Sequence, residues 1–404
     1  MKNIAVIGAG ASGIIAALFA AKKINKVTLF EKQDRIGRKI LSTGNGRCNI
    51  SNKNIDIANY HGHNTKFVLT VFAKFGLKET VDFFESVGLP LIEENEGRLF
   101  PASMQASSVV DILNYELTRN NVDLNLNRKV EKIIPAKDKF RIVTAGREEH
   151  VFDSVILSAG SSAYTGLGAS DIGYELAGSL GHRIYEPFPA ILPVSVPLKI
   201  LHTLEGVKWI CGARVETGGR TVSESAGELL FTKYGISGPC VLNISRAVNQ
   251  YVLEKKDPQI IIDFFPEMTE QMLADKINKL WVDPDKNVAI SLSGIIKKRI
   301  PEVLLKTINI DPYNQIKHLS DNEKRAIIKL FKSFTIIPGS PRSFKEAVIA
   351  AGGVDVDEIN SSTMESVIIK NLFITGELLD IDGDSGGYNL QFAWSTGAIA
   401  GMSQ

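Results

Sequence analysis

Apolar positions change their spacing several times along the chain, and each change marks an element. Residues 3–8 (NIAVIG) form a continuous apolar run ending in glycine, the pattern of a strand buried on both faces. Residues 12–23 are rich in Ala, Leu and Ile without a break, which predicts a buried helix, and 26–31 (KVTLFE) return to a strand pattern. Apolar residues then recur at helical spacing over 66–75, 79–87 and 109–120. A short strand is predicted at 128–134. The segments 140–144 and 151–157 complete a β-rich stretch that stops at Ser158-Ala159-Gly160.

Two groups of prolines then interrupt the pattern. Pro187, Pro189, Pro193 and Pro197 form the first, and Pro338 and Pro341 the second. Proline at this density favours extended connections over element interiors. Between them, residues from about 205 to 265 read as strands, with turn signals at Gly218-Gly219 and Gly238-Pro239, and residues from about 267 to 334 read as helices. The prediction is an α/β protein with a discontinuous Rossmann-type domain, 1–190 and 341–404. An inserted β-rich module (191–266) and a small helical cap (267–340) interrupt it. Residues 372–375 are again strand-like, and the end of the chain is rich in glycine.

Composition narrows the reading. Of 404 residues, 44% are hydrophobic and 23% charged, the proportions of a globular protein, and a net charge of +1 implies no general attraction to nucleic acid or anionic membrane. No stretch reaches the ~20 apolar residues of a membrane span, and the first apolar run has no cleavage-site pattern, so the expected location is the cytoplasm. The three cysteines, Cys48, Cys211 and Cys240, form no CxxC, so a disulfide scaffold, a zinc site and a dithiol relay all lack their sequence pattern. His61 and His63 are a lone HxH with no further ligands nearby, so no metal site is expected.

The chemistry begins at Gly8-Ala9-Gly10-Ala11-Ser12-Gly13, a GxGxxG that follows a strand and opens a helix. Gly8 permits the turn, Gly10 lets a pyrophosphate approach the backbone, and Gly13 lets helix and strand pack closely. The helix N-terminus then faces the phosphates with free amides. Glu31 ends the second strand, where a carboxylate accepts ribose hydroxyls. These features specify a dinucleotide and leave FAD and NAD both open. Two others favour FAD. Glu31 runs into a basic, glycine-rich stretch (Asp34 to Lys39, then Gly44-Asn45-Gly46-Arg47-Cys48-Asn49) where an NAD domain continues into its next βα unit. At the far end, a strand stops at Gly376-Glu377, and Gly386-Gly387 open a helix at Tyr388, whose amides suit the N1–C2=O edge of a flavin.

With both ends read, the chain resembles the BaiN-like (YhiN-type) family of bacterial FAD-dependent oxidoreductases. The resemblance rests on GRKILSTGNGRCNISN at 37–52, EGRLFPAS at 96–103, GELLFTKYGISGP at 227–239 and GELLDIDGDSGGYNLQFAWSTG at 376–397. It implies that Gly8, Gly10 and Gly13 meet the pyrophosphate and Glu31 the adenosine ribose. Arg38 and Lys39 would lie near phosphate or ribose, Val130 would meet adenine through its backbone, and Glu377 would approach the ribityl chain. Gly387, Tyr388 and Asn389 would lie near the isoalloxazine, while Asp380 and Asp382 either bond the cofactor or shape their turn. Ala11, Ser12, Lys32, Gly44, Gly46, Arg47, Cys48, Ala159, Gly160, Gly376 and Leu390 complete the expected cofactor-binding set. The chain departs from the family pattern at Lys233, where His is usual, and at Phe392, where Trp is more frequent.

Flavin supplies the hydride chemistry, so no catalytic triad is required. Catalytic candidates are Arg47 and Arg98, each a carboxylate binder or a structural residue, Cys48, a reactive thiol or a packing residue, and Tyr388, a proton donor or a stacking ring. Phe392 and Trp394, at helical spacing with Leu390, read as core. Three functions remain open. One is an NAD(P)H-linked reductase of a small, hydrophobic unsaturated or carbonyl substrate, suggested by the resemblance. The second is an oxidase of a small amine or alcohol, and the third a non-enzymatic redox-sensing flavoprotein. The expected partner is a small molecule, with no nucleic acid and no membrane.

Overall fold

A computed structural model describes every residue, Met1–Gln404. The chain divides into two compact units: Met1–Phe188 with Val348–Gln404, and Pro189–Ala347. The first is built on a parallel sheet of β1 (Asn3–Ile7), β2 (Lys26–Phe30), β3 (Asp123–Asn125), β4 (Ser154–Leu157) and β5 (Leu372–Ile374), in spatial order β5-β4-β1-β2-β3. All its ladders are parallel, with Ile7 opposite both Phe30 and Leu157, and Leu157 opposite Ile374. In-register pairing brings the carboxyl ends of these strands to one edge. Val151–Leu157, which reads as one strand, is split between two sheets: Glu149–Phe152 pairs antiparallel with Lys139–Thr144, Ser154–Leu157 joins the parallel sheet, and Asp153 between them bonds Asn3 through both its amide and its carboxylate, each at 2.8 Å.

The first helix (Ala11–Ala21) lies against β1, and the C-terminal helix (Tyr388–Met402) lies against the first helix. Neither has a polar face, since both are buried almost throughout. Their packing is backbone on backbone. A Cβ placed on Gly397 would lie 2.2 Å from the Ser12 carbonyl oxygen, and one on Gly401 2.5 Å from that of Ala16. The last helix is thereby held over the dinucleotide turn, although the two lie at opposite ends of the chain.

The inserted unit carries an antiparallel sheet in the order Val194–Ser195, Gly235–Ser237, Arg220–Thr232, Lys208–Thr217, Gln259–Asp263, Phe334–Ile336. Gly218 (φ 55°) and Gly219 (φ 73°) close the two long strands in a two-residue turn that needs positive φ at both positions. One segment departs from the strand-like reading of 205–265: Pro239–Leu253 is a helix. Its β-branched residues mimic a strand, yet Cys240, Val241, Ile244, Ser245, Val248 and Asn249 are its buried face, at helical spacing, and Pro239 occupies the first turn where proline is tolerated. The strand residues Ile260 and Ile262 share one core with Leu273, Leu304 and Phe331 of the following helices, so the β-rich and helical parts form one packed unit. No helix of the protein is long and apolar enough to cross a membrane.

The helix contact yields a stability test. Alanine at Gly397 improves local helix propensity but forces the two backbones apart. Gly397→Ala should therefore destabilise the first unit by about 1–3 kcal/mol, as overpacking does, read as a lowered melting temperature. An unchanged or raised melting temperature would show that the contact is not tight.

Candidate functional site

The parallel register gathers the sequence motifs at the carboxyl edge of the sheet, where open α/β sheets bind ligands. Gly8 has φ 101°, and a Cβ there would sit 2.4 Å from the Ser158 carbonyl oxygen, so the turns after β1 and β4 touch. Gly13 packs against its own turn, with a Cβ only 1.9 Å from the Gly8 carbonyl oxygen. Gly10 and Gly160 are the reverse case. They lie in these adjoining turns, yet nothing stands within 4 Å of an added Cβ. That open space, beside the free amides at Ala11 and Ser12, is a cradle of the kind a pyrophosphate fills.

Glu31 closes the β2 side. Its two oxygens accept the Ala9 amide at 2.8 Å and the Gln33 amide at 2.9 Å, which ties the end of β2 to the glycine turn. A carboxylate has further lone pairs, so it can still accept ribose hydroxyls. The chain returns beside it, with the Arg128 amide on the Glu31 carbonyl at 2.8 Å, and this sets Val130 at the start of Val130–Ala136.

On the β5 side the centre is Glu377. One oxygen meets Lys39 Nζ at 2.5 Å; the other accepts Ser161 Oγ at 2.6 Å and the Ala350 amide at 3.1 Å. Gly376 has φ 70° and presses on Ser12, and its amide donates to Thr396 Oγ1 at 3.0 Å. Three distant parts of the chain thus converge on one carboxylate. Ser161 and Ala350 were invisible to motif reading because neither belongs to a distinctive pattern. The loop after β4 and the returning chain deliver them.

The third wall is the 44–52 loop against the start of the C-terminal helix. Ser51 Oγ donates to Gln391 Oε1 at 2.6 Å, Gln391 Nε2 donates to Thr80 Oγ1 at 2.7 Å, and Trp394 Nε1 donates to the Ile50 carbonyl at 3.0 Å. Asn52 Nδ2 donates to the Gly386 carbonyl at 3.0 Å. Gly387 (φ 104°) comes so close that a Cβ would meet Asn49 Oδ1 at 2.9 Å, and that oxygen is buried with no hydrogen-bond partner. A buried, unsatisfied acceptor costs free energy unless something donates to it. Beside a helix N-terminus it suits a planar ligand with its own N–H group, such as the isoalloxazine edge. Asn389, on the first turn, exchanges hydrogen bonds with the Gly383 backbone at 2.7 and 2.8 Å, and Leu390 packs against the core.

The other candidates are placed as follows. Lys32 Nζ donates to Ser170 Oγ at 2.6 Å, and burial holds its pKa below the usual lysine range. Arg38 donates to Gln33 Oε1 at 2.6 Å. Arg47 lies over the Phe100 ring and grips Glu94 through two contacts of 3.0 and 3.1 Å, beside the Gly44–Gly46 turn. Arg98 folds back on the Asn95 carbonyl at 3.0 Å and lies near Glu96. Cys48 is fully buried, and burial pushes its thiol up to about 12, which leaves almost no thiolate near neutrality. Tyr388 sits edge-on to Tyr60, whose hydroxyl donates to the Tyr388 carbonyl at 3.0 Å, and burial raises the Tyr388 phenol. Phe392 and Trp394 are core residues, and Lys233 is an exposed residue of the inserted unit.

His61 and His63 each take an acid from the DIDGD loop. His61 Nε2 lies 2.8 Å from Asp384, and His63 Nδ1 2.7 Å from Asp380, with the His63 ring stacked on Tyr185 at 3.4 Å. Asp382, also buried, pairs its backbone with His61. These contacts shape the turn that leads into Gly386-Gly387. Distance along the chain hid a different pair: Cys211 and Cys240, which form no sequence motif, bring their sulfurs to 3.8 Å in the inserted unit. The fold brings them close by stacking the helix that carries Cys240 on the strand that carries Cys211.

Relatives agree with this architecture. The chain is 35% identical, over its whole length and 99% of the relative, to a 3-dehydro-bile acid delta(4,6)-reductase of Clostridium scindens. It is 29% identical to a ribosomal RNA dihydrouridine synthase of Escherichia coli, with 97% of this chain and 95% of that one covered. Among solved structures, 3-ketosteroid delta1-dehydrogenase of Sterolibacterium denitrificans shares the fold, with a TM-score of 0.53 at 12% identity and coverage of 99% of this chain and 98% of that one. Residues 2–403 match the HI0933-like protein Rossmann domain, so the chain belongs to that family and is an FAD-dependent oxidoreductase.

Proposed function

We propose that this protein is a reductase that draws electrons from NAD(P)H and saturates a carbon–carbon double bond conjugated to a carbonyl group. The observation that carries the reading is the pair of full-length relatives. One is named for reducing Δ4,6 unsaturation in a 3-dehydro bile acid and the other for making dihydrouridine. A 3-oxo steroid alkene and the uracil ring share one reactive unit, an alkene in conjugation with C=O. Bound FAD supplies a two-electron hydride carrier for such a unit.

The residues of the chain bind and orient. Gly8, Gly10, Ala11, Ser12, Gly13 and Gly160 would hold the pyrophosphate, and Glu31, with the backbone at Val130, the adenosine. Glu377 would receive the ribityl hydroxyls, with Lys39 and Ser161 fixing its carboxylate and Lys39 offsetting its charge. The N-terminus of the C-terminal helix, with Gly387, would face the ring edge where negative charge accumulates on reduction. The Asn49 side-chain carbonyl would accept a ring N–H. Arg47, Cys48 and Arg98 are engaged in local contacts and are left without a reactive role.

A small hydrophobic enone is the first substrate class to assay. Charge distribution favours a second reading, reduction of uracil within RNA. Residues 189–347 hold 22 Lys and Arg against 17 Asp and Glu, whereas the rest of the chain holds 24 against 28. A basic inserted unit suits a polyanion.

Two experiments test the function. Anaerobic addition of NADH or NADPH should bleach the flavin. Subsequent addition of a 3-oxo-Δ4 steroid acid should restore its colour and yield a product heavier by two hydrogens; a uridine-containing RNA that does so instead would favour the second substrate. Failure of both nicotinamides to bleach the flavin would sink the reductase reading. Separately, Glu377→Ala should weaken FAD binding about 10- to 100-fold, as loss of charge-assisted hydrogen bonds does, measured by titrating apoprotein with FAD. Unchanged affinity would remove Glu377 from the site.

A further inference from the structure

Cys211 and Cys240 are both buried, and their sulfurs stand 3.8 Å apart across 29 positions of sequence. Cys211 points inward from Lys208–Thr217, between the outward Ile210 and the half-buried Gly212. Its partner in the ladder is Gly227, at φ 147°. A Cβ on Gly227 would lie 3.9 Å from the Cys240 Cβ, so the strand residue opposite Cys211 packs directly on the start of the helix that carries Cys240. Cys240 is the second residue of Pro239–Leu253, a helix of 15 residues, and directly follows the exposed Pro239. Its S–H donates to the Glu228 carbonyl at 3.4 Å.

We infer that Cys211 and Cys240 are a redox-active dithiol that a hydroperoxide converts to an intramolecular disulfide. The sulfurs are already in van der Waals contact, and rotation about the two Cα–Cβ bonds has to close them to about 2 Å. Cys240 takes the attacking position, with Cys211 left to resolve. The hydrogen bond to Cys240, together with burial, holds Cys211 protonated well above the usual thiol range, which suits the resolving position. In the first step, Cys240 sulfur attacks one peroxide oxygen and the O–O bond breaks. This forms a sulfenic acid, and the displaced hydroxide leaves as water with the Cys240 proton. In the second, Cys211 sulfur displaces the sulfenic hydroxyl, which leaves as a second water with the Cys211 proton. Two thiols and one hydrogen peroxide become one disulfide and two waters, and the two electrons lost by sulfur are gained by oxygen. The inference does not depend on which substrate the flavin serves.

Cys48 is an internal control, since it is buried with no second sulfur and its thiol is pushed up to about 12. The test treats full-length holoprotein with hydrogen peroxide, then alkylates it in denaturant and maps peptides without reduction. Free thiols should fall from three to one, the survivor being Cys48, and a Cys211–Cys240 linked peptide should appear and vanish with dithiothreitol. In Cys211→Ser the reaction should stop at a sulfenic acid on Cys240 that dimedone traps. Cys48→Ser should still form the link, which keeps the test valid if the Cys211 variant folds poorly. Three thiols remaining free, oxidation confined to Cys48, or links only between chains would each overturn the proposal.

Discussion

The structure depends on one close approach. The first helix and the C-terminal helix touch through backbone, Gly397 on Ser12 and Gly401 on Ala16, at distances no side chain would allow. Ser12 is also pressed by Gly376, so one residue of the dinucleotide turn touches both the helix and the loop that close the chain. This contact is buried and made of close-packed backbone, and it needs no charge to be strong. Close packing of two smooth helix faces removes their surfaces from water and leaves little room for sliding.

The remaining parts of the site are held by that clamp. With the C-terminal helix fixed, Gln391 and Trp394 reach across to Ser51 and the Ile50 carbonyl and shape the glycine-rich loop. The Gly387 amide end then comes to face Asn49. The preceding loop places Glu377 where Lys39, Ser161 and the Ala350 amide converge on it. A carboxylate with three donors has a single orientation, and this is what a cofactor-positioning group requires. The geometry of the candidate site is thus set by packing first and by hydrogen bonds second.

The inserted unit follows a different logic. It has its own core, in which strand and helix side chains interdigitate, and its basic excess sets it apart from the acidic first unit. Within it, the helix that carries Cys240 lies on the strand that carries Cys211, and the two sulfurs come to 3.8 Å. Packing of a helix on a strand brings together groups that the sequence keeps apart.

The sequence by itself determined the parallel βαβ start, the return of the chain's end to the Rossmann-type unit, and the meeting of the glycine turn with Glu31 at the end of β2. It could do so because these rest on local rules. Glycine is demanded where φ is positive or backbones touch, apolar runs mark buried strands, and long distinctive motifs identify a family. Only the tertiary structure decided matters of distance. Arg47 and Arg98 look like free cations in sequence, but folding gives each a local partner. Ser161 and Ala350 carry no motif, yet they complete the Glu377 site: the loop after β4 brings Ser161, and the strand Ile349–Val354, paired with Ile184–Ala190, brings the Ala350 amide. Residues 239–253 lie in a stretch that reads as strands, but their apolar residues Val241, Ile244 and Val248 recur at helical spacing and pack as one buried face of a helix. Cys211 and Cys240 form no pattern at all until a helix is laid on a strand. Sequence patterns report what a residue needs from its neighbours along the chain, and they carry no record of which distant residue will be brought within reach.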